Sequence, residues 1–73
     1  MSHEEQLVES GLATVKEASG FLSLSRAMIY KLMETGQLRY VKIGRSRRIP
    51  RLSMRELAKE CLIGGWKLEQ SLH

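Results

Sequence analysis

One stretch of the chain combines strand-like alternation, a turn sequence and concentrated positive charge. Residues 38–51 read LRYVKIGRSRRIPR and contain six of the twelve basic residues and none of the eight acidic ones. Apolar and polar side chains alternate before the turn sequence Gly44-Arg45-Ser46, and the return segment ends at Pro50. The stretch therefore predicts a short β-hairpin that carries guanidinium groups at its tip.

The positive charge of the chain is local. Residues 38–51 carry a net charge of +6, residues 1–10 carry −3, residues 11–37 carry +1 and residues 52–73 are neutral. Like charges placed this closely repel one another, so the hairpin is expected to meet a polyanion. Nucleic acid is favoured over a membrane because no long amphipathic helix carries the charge, and because arginine pairs with phosphate bidentately. The alternative is an edge strand that its charge protects from aggregation.

A first helix is predicted before the hairpin. Thr14 and Glu17 have the spacing of a capping box, in which each side chain satisfies a backbone N–H of the other residue. Val15, Ala18 and Leu22 follow at helical spacing and form an apolar face. The pattern predicts a helix of about nine residues.

A second helix is predicted after a turn of about three residues. Ser25 can cap this helix, which is expected to run to about Thr35 and to end at Gly36 in the left-handed conformation. Its core side is predicted to comprise Met28, Ile29, Leu32 and Met33. The opposite side, with Arg26 at its boundary, carries Ala27, Tyr30, Lys31 and Glu34. Two short helices joined by a tight turn predict a helix-turn-helix.

The hairpin and a final helix are expected to complete the core. Alternation predicts that Val41, Ile43 and Ile49 share the core face of the hairpin, while Tyr40 and Lys42 point away from it. A second capping box is predicted from the sequence between positions 53 and 56, at the start of the final helix. The apolar face of that helix comprises Met54, Leu57, Ala58, Cys61 and Leu62, and the helix is expected to stop at Gly64-Gly65.

These elements divide the chain into three segments. Residues 1–11 are polar and acidic and are expected to form a flexible lead-in. Residues 12–63 are expected to form one winged helix-turn-helix domain, and residues 64–73 a tail that contains Trp66. The acidic N-terminus is unlike a signal peptide and no segment has the length of a membrane span, so a cytoplasmic, nucleoid-associated protein is expected.

Several classes of site are not expected in this chain. Cys61 is the only cysteine, which leaves no intramolecular disulfide or thiolate cluster, and an inert core thiol is expected. His3 and His73 lie at opposite ends, so no metal site is predicted. Serine, cysteine and histidine do not cluster at catalytic spacing and there is no glycine-rich phosphate loop, so neither an enzyme nor a cofactor or small-molecule site is expected.

Four stretches in order carry a resemblance to a known family: residues 14–18 (TVKEA), 24–32 (LSRAMIYKL), 36–38 (GQL) and 42–50 (KIGRSRRIP). Over about residues 12–62 the chain resembles the excisionase-type branch of the MerR-like winged helix-turn-helix domains. The resemblance implies a mainly α fold with three helices and a two-stranded wing. The chain departs from the family at Ser23, where members often carry glycine, and at Arg47, where many carry an aromatic residue.

The resemblance implies that the second helix enters the major groove and that the hairpin is a wing on the DNA backbone or minor groove. The expected recognition-helix contacts are Ser25, Arg26, Ala27, Tyr30 and Lys31. The expected wing contacts are Lys42, Gly44, Arg45, Ser46, Arg47 and Arg48. By position in the helix, Arg26 is expected to read a base, while Tyr30 and Lys31 are expected to hold phosphates. Lys16 is a weaker phosphate candidate.

Members of the resembled family act as recombination directionality factors or as small transcriptional regulators, and they are not enzymes. The leading hypothesis is an excisionase-like factor that binds specific duplex DNA, bends attachment-site DNA and recruits or redirects an integrase. A transcriptional regulator on the same fold is the nearer alternative. A protein-interaction adaptor, with Trp66 and the final helix as its surface, is the farther one. One recognition helix reads only a few base pairs, so further copies on DNA or a protein partner are expected.

Overall fold

Within residues 1–63, the part of the chain that the structure describes, four helices accompany a small antiparallel sheet. The structure is a computed structural model. Its elements are α1 (His3–Glu9), β1 (Leu12–Ala13), α2 (Val15–Leu22), α3 (Arg26–Glu34), β2 (Val41–Ile43), β3 (Ser46–Pro50) and α4 (Arg51–Glu60). The strand order is β1-β3-β2. The mainly α, winged helix-turn-helix class is confirmed, with one helix and one strand beyond those predicted.

Within residues 1–63, a cluster of buried side chains joins α2, α3 and α4 to strands β1 and β3. Its members are Ala13, Ala18, Ile29, Met33, Leu38, Ile49, Met54 and Leu57. The cluster draws on every described element except α1 and β2. Full burial of one large apolar side chain contributes about 1.5–3 kcal/mol, so a core of this size supports a domain of modest stability.

The N-terminal residues form a helix where the sequence predicted a flexible lead-in over residues 1–11. The Ser2 hydroxyl accepts a hydrogen bond from the Glu5 N–H at 3.1 Å, and the Glu5 carboxylate accepts one from the Ser2 N–H at 3.4 Å. Leu7 is buried, and His3 Nε2 lies 2.8 Å from Glu56 Oε2 on α4. The prediction was wrong because it overlooked this capping box and the contact with α4.

Helix α2 begins with the capping box that the sequence predicted. The Thr14 N–H donates to Glu17 Oε1 at 2.9 Å, and the Glu17 N–H donates to Thr14 Oγ1 at 3.0 Å. Hydrogen bonding with Thr14, chiefly through its backbone N–H, holds the pKa of the Glu17 carboxyl below its ordinary value, and Arg51 acts in the same direction. Arg51 Nη2 lies 3.4 Å from Glu17 Oε2, which ties the start of α2 to the start of α4.

The turn between α2 and α3 is closed by a left-handed serine. Ser23 has φ 55° and ψ 42°, a conformation in which glycine avoids the steric cost of a β-carbon. The N–H groups of Ser23 and Leu24 both donate to the Ser19 carbonyl, and the Ser19 hydroxyl donates back to the Leu24 carbonyl. The turn is therefore tightly closed even though serine occupies a position suited to glycine.

Ser23→Gly is expected to stabilise the domain by about 0.5–1 kcal/mol, because the relief of left-handed strain exceeds the entropic cost of glycine. Thermal denaturation should show a midpoint that is higher by roughly 2–8 °C. Ala58→Gly is the matched control, since Ala58 is exposed inside α4 and the same glycine should cost about 0.5–1 kcal/mol there. A lower midpoint for Ser23→Gly would contradict strain at this turn.

Helix α4 starts earlier than predicted and without the second capping box. Its first residue is Arg51 and its N-cap is Pro50, which makes no side-chain capping bond. Ser53 lies inside the first turn and is buried, with its hydroxyl accepting from the Arg39 N–H at 3.1 Å and donating to the Arg39 carbonyl at 3.4 Å. The capping prediction was wrong because the Ser53 hydroxyl binds the segment before β2 rather than its own helix.

Four apolar positions that were assigned to the core face of a helix are exposed, among them Ala58 of α4. Cys61 is the C-cap of α4 rather than a helical residue, so it and Leu62 leave the apolar register and the expected core thiol is exposed. Met28 is 40% exposed because the buried stripe of α3 is narrow and centred on Ile29 and Met33. The predicted stop at Gly64-Gly65 and the tail with Trp66 lie outside the described residues.

The hairpin has a register that differs by one residue from the predicted one. Ile43 pairs with Ser46, so the loop has two residues instead of three. A shift of one residue exchanges the faces of a strand. Ile49 is buried and lies on the same face as Lys42, whereas Val41 is half-buried and Ile43 is 59% exposed on the other face. The prediction that Val41 and Ile43 share the core face with Ile49 was therefore wrong.

No helix within residues 1–63 is long and apolar enough to cross a membrane. In the same part of the chain, no three histidine, cysteine, aspartate or glutamate side chains come together in a way that would hold a metal ion.

Candidate nucleic-acid interface

Helix α3 presents a polar face because its opposite face is held in the core. Ile29 and Met33, one turn apart, are buried. Ser25 caps the helix by accepting a hydrogen bond from the Met28 N–H at 3.2 Å, as predicted. The residues predicted to contact nucleic acid from this helix are all exposed: Ser25, Arg26, Ala27, Tyr30 and Lys31.

The segment from α3 to the hairpin is fixed at both ends. Gly36 has φ 79°, the left-handed end that the sequence predicted, and the N–H groups of Gln37 and Leu38 both donate to the Leu32 carbonyl. Leu38 is fully buried, and Ser53 of α4 holds the backbone of Arg39. The hairpin therefore leaves the core at a defined position relative to α3.

The tip of the hairpin is a tight two-residue loop. Gly44 has φ 61° and Arg45 follows with an ordinary negative φ, a pattern of the type II′ hairpin turn, which favours glycine at its first position. The residues at and beside the tip are exposed: Lys42, Gly44, Arg45 and Ser46. The positive groups at the tip thus lie on a short loop in contact with solvent.

The arginines of the return strand are less exposed than those of the tip. Arg47 and Arg48 are half-buried, and Arg48 Nη1 donates to the Arg47 carbonyl at 3.0 Å. Among residues 1–63, neither they nor Arg45 form an ion pair, whereas Arg51 pairs with Glu17. The wing thus keeps positive charge that no acidic side chain in the described part of the chain neutralises.

Arg47 connects the wing to helix α3. Its guanidinium carbon lies 5.4 Å from the centre of the Tyr30 ring and 5.2 Å from the centre of the Tyr40 ring, both within cation–π range. Arg47 Nη1 is buried and has no hydrogen-bond partner within the described residues. Tyr30 belongs to α3 and Tyr40 immediately precedes β2, so one guanidinium touches both predicted binding elements.

The structure links the two predicted binding elements through one contact. The contact between Tyr30 and Arg47 joins the α3 residues to the wing. Lys16 is exposed in the first turn of α2, and within residues 1–63 it forms no ion pair. Tyr40 was not among the contacts predicted from the sequence. It could have been found from its position two residues before Lys42, because alternate residues share a strand face and Lys42 pairs with Arg47.

The sequence of the chain is similar to that of known proteins. A family model described as "Helix-turn-helix domain" matches residues 14–62, which is more than half of the chain. A curated protein of Saccharopolyspora erythraea described as "Probable excisionase" is 45% identical over 47 residues, which cover 64% of this chain and 48% of that protein. The matched region thus spans about half the length of this relative. No solved structure matches the chain at a significant level.

Proposed function

The chain belongs to the helix-turn-helix domain family, and from that premise we propose that it binds duplex DNA in a sequence-specific manner. The observation that carries the proposal is the meeting of the exposed face of α3 with the positively charged wing through the contact of Tyr30 with Arg47. A helix of this kind fits the major groove, and the adjoining wing then lies along the backbone or in the minor groove.

The exposed residues of α3 divide into two roles. Arg26 lies in the first turn and makes no ion pair within the described chain, so its guanidinium is free to pair with O6 and N7 of guanine. Tyr30 and Lys31 lie about one turn further along the helix and hold phosphates, which sets the register without reading sequence. Ser25 and Ala27 flank Arg26 and contact the groove beside it.

The wing supplies affinity that depends on salt. Lys42, Arg45 and Arg48 bind phosphates, while Gly44 and Ser46 allow the backbone of the loop to approach the DNA. Each phosphate contact of this kind releases condensed counterions, and the affinity therefore falls as salt concentration rises.

The finer proposal is an excisionase-like role. It is supported by the 45% identity to the protein described as a probable excisionase. In that role the chain bends attachment-site DNA and recruits or redirects an integrase. A domain with one recognition helix reads few base pairs, so further copies on DNA or the integrase itself add the remaining specificity.

Footprinting on the DNA that flanks its own gene, combined with a gel assay of DNA bending, tests this role. Protection of repeated sites in a recombination arm, with a bend at each site, is the expected result. A single protected site in a promoter without a bend would replace the excisionase-like role by transcriptional regulation. A complete lack of protection, with tight capture of a protein partner, would instead favour the adaptor.

Arg45→Ala is expected to weaken binding to all duplexes alike and to reduce the slope of log K against log salt by about 0.9, the contribution of one phosphate. Arg45 is exposed at the tip and pairs with no acidic side chain within the described residues, so its loss should leave the fold intact. The measurement is a DNA titration at several salt concentrations.

Arg55→Ala is the matched control for the wing variant. It removes the same charge from an exposed position of α4, outside the proposed interface. The slope should be unchanged in this control. Equal slopes for Arg45→Ala and the wild type would remove Arg45 from the set of phosphate contacts.

A further inference from the structure

We infer that Arg47 is a positioning residue, which sets the distance between the wing and helix α3 and does not itself bind phosphate. The inference rests on the proposed DNA-binding function and refines it. It gives Tyr40, which lies outside the set of predicted contacts, a defined part in DNA recognition.

The guanidinium of Arg47 makes two contacts with aromatic rings. Its central carbon is 5.4 Å from the Tyr30 ring and 5.2 Å from the Tyr40 ring, so the group lies against both aromatic side chains. Tyr30 comes from α3 and Tyr40 from the base of the wing. A planar cation placed against two rings resists movement of either element relative to the other.

Burial separates Arg47 from the arginine at the tip. Arg45 is exposed, whereas Arg47 is half-buried and its Nη1 atom is inaccessible to solvent. A phosphate cannot reach Nη1 unless the guanidinium first leaves the tyrosine rings. The position also pairs with Lys42 across the hairpin, so an exposed cation is already available on that face of the wing.

A fixed distance between α3 and the wing matters because both elements engage one duplex. If the wing is aligned in the free protein, DNA binding does not have to order it, and less affinity is lost on association. Loss of this alignment should lower affinity while the number of phosphate contacts in the complex stays the same. Affinity and salt slope therefore separate a positioning role from a phosphate contact.

The test is a titration of the footprinted duplex at several salt concentrations with Arg47→Met, Tyr40→Leu and the double variant. Arg45→Met is the matched control for the loss of one wing charge. Arg47→Lys, which keeps the charge without the planar guanidinium, is measured in parallel, and thermal denaturation checks that each variant folds. This set keeps the test decisive if Arg47→Met alone fails to fold.

Arg47→Met and Tyr40→Leu should each weaken binding by about five- to thirty-fold with the wild-type salt slope. Their losses should not add in the double variant, and Arg47→Lys should recover only part of the affinity. The inference is overturned if Arg47→Met lowers the slope as Arg45→Met does, if Tyr40→Leu binds like the wild type, or if Arg47→Lys restores full affinity. If the wild type itself binds no duplex, the proposed function fails, and the inference fails with it.

Discussion

Replacing Arg26 with alanine is expected to lower affinity for the footprinted duplex by about 1–3 kcal/mol, or roughly five- to 150-fold, and to abolish preference at one base pair. The expectation follows from the place of Arg26 in the first turn of α3, where the Ser25 cap and the burial of Ile29 fix the backbone. A bidentate arginine contact with guanine discriminates against the other bases by a similar amount.

The measurement is a titration of a panel of duplexes in which each base pair of the site is changed in turn. Lys31→Ala is the control from the same helix, and it should weaken binding to every duplex by a similar factor because Lys31 is assigned to phosphate. A uniform loss for Arg26→Ala across the panel would contradict base reading and would reassign Arg26 to the backbone.

The second large effect concerns the register of the hairpin. Ile49→Ala is expected to destabilise the domain by about 2–5 kcal/mol, because Ile49 is fully buried at the centre of the core and its truncation leaves a cavity. That loss is a large share of the roughly 5–15 kcal/mol that stabilises a typical domain. Urea denaturation should show the lower midpoint.

Ile43→Ala is the matched control in the same hairpin, with the same change of side chain. Ile43 is 59% exposed, so its truncation should change the free energy of unfolding by no more than about 0.5 kcal/mol. Similar losses for the two variants would mean that both isoleucines share the core face. That outcome would contradict the two-residue loop and favour a three-residue one.

Local signals in the sequence predicted much of the fold. The spacing of Thr14 and Glu17 and the place of Ser25 identified the starts of two helices, and Gly36 identified an end. These signals are reliable because each depends on hydrogen bonds or backbone angles within a few residues. The same type of signal at Ser2 marked α1 and was overlooked.

Two other errors arose where the outcome depends on distant parts of the chain. Ser53 has the spacing of a cap, but its hydroxyl binds the backbone of Arg39, fourteen residues away. The loop at Gly44 differs by one residue from the predicted length, which reverses the faces of the strands. Local spacing reveals neither the partner of the Ser53 hydroxyl nor the length of the loop, since both depend on which side chains pack beneath the hairpin.

Among the predicted binding residues too, local spacing identified some features, whereas others depend on contacts between distant residues. Exposure of Arg26 and Lys31 follows from helical periodicity, and exposure of Arg45 follows from its place in the turn. The stacking of Arg47 against Tyr30 and Tyr40 could not be predicted in this way, because it brings together residues from three separate segments. Sequence alone therefore identified a basic surface without showing which of its arginines is held inside it.

DNA binding by this surface is tested by a titration of duplex DNA with the wild-type chain over a range of salt concentrations. Four charged side chains are assigned to phosphate, namely Lys31, Lys42, Arg45 and Arg48. We expect binding with log K falling linearly against log salt, at a slope of about −3 to −4. No binding at about 50 mM salt, or a slope smaller in magnitude than about 1, would contradict the assignment of this surface to DNA.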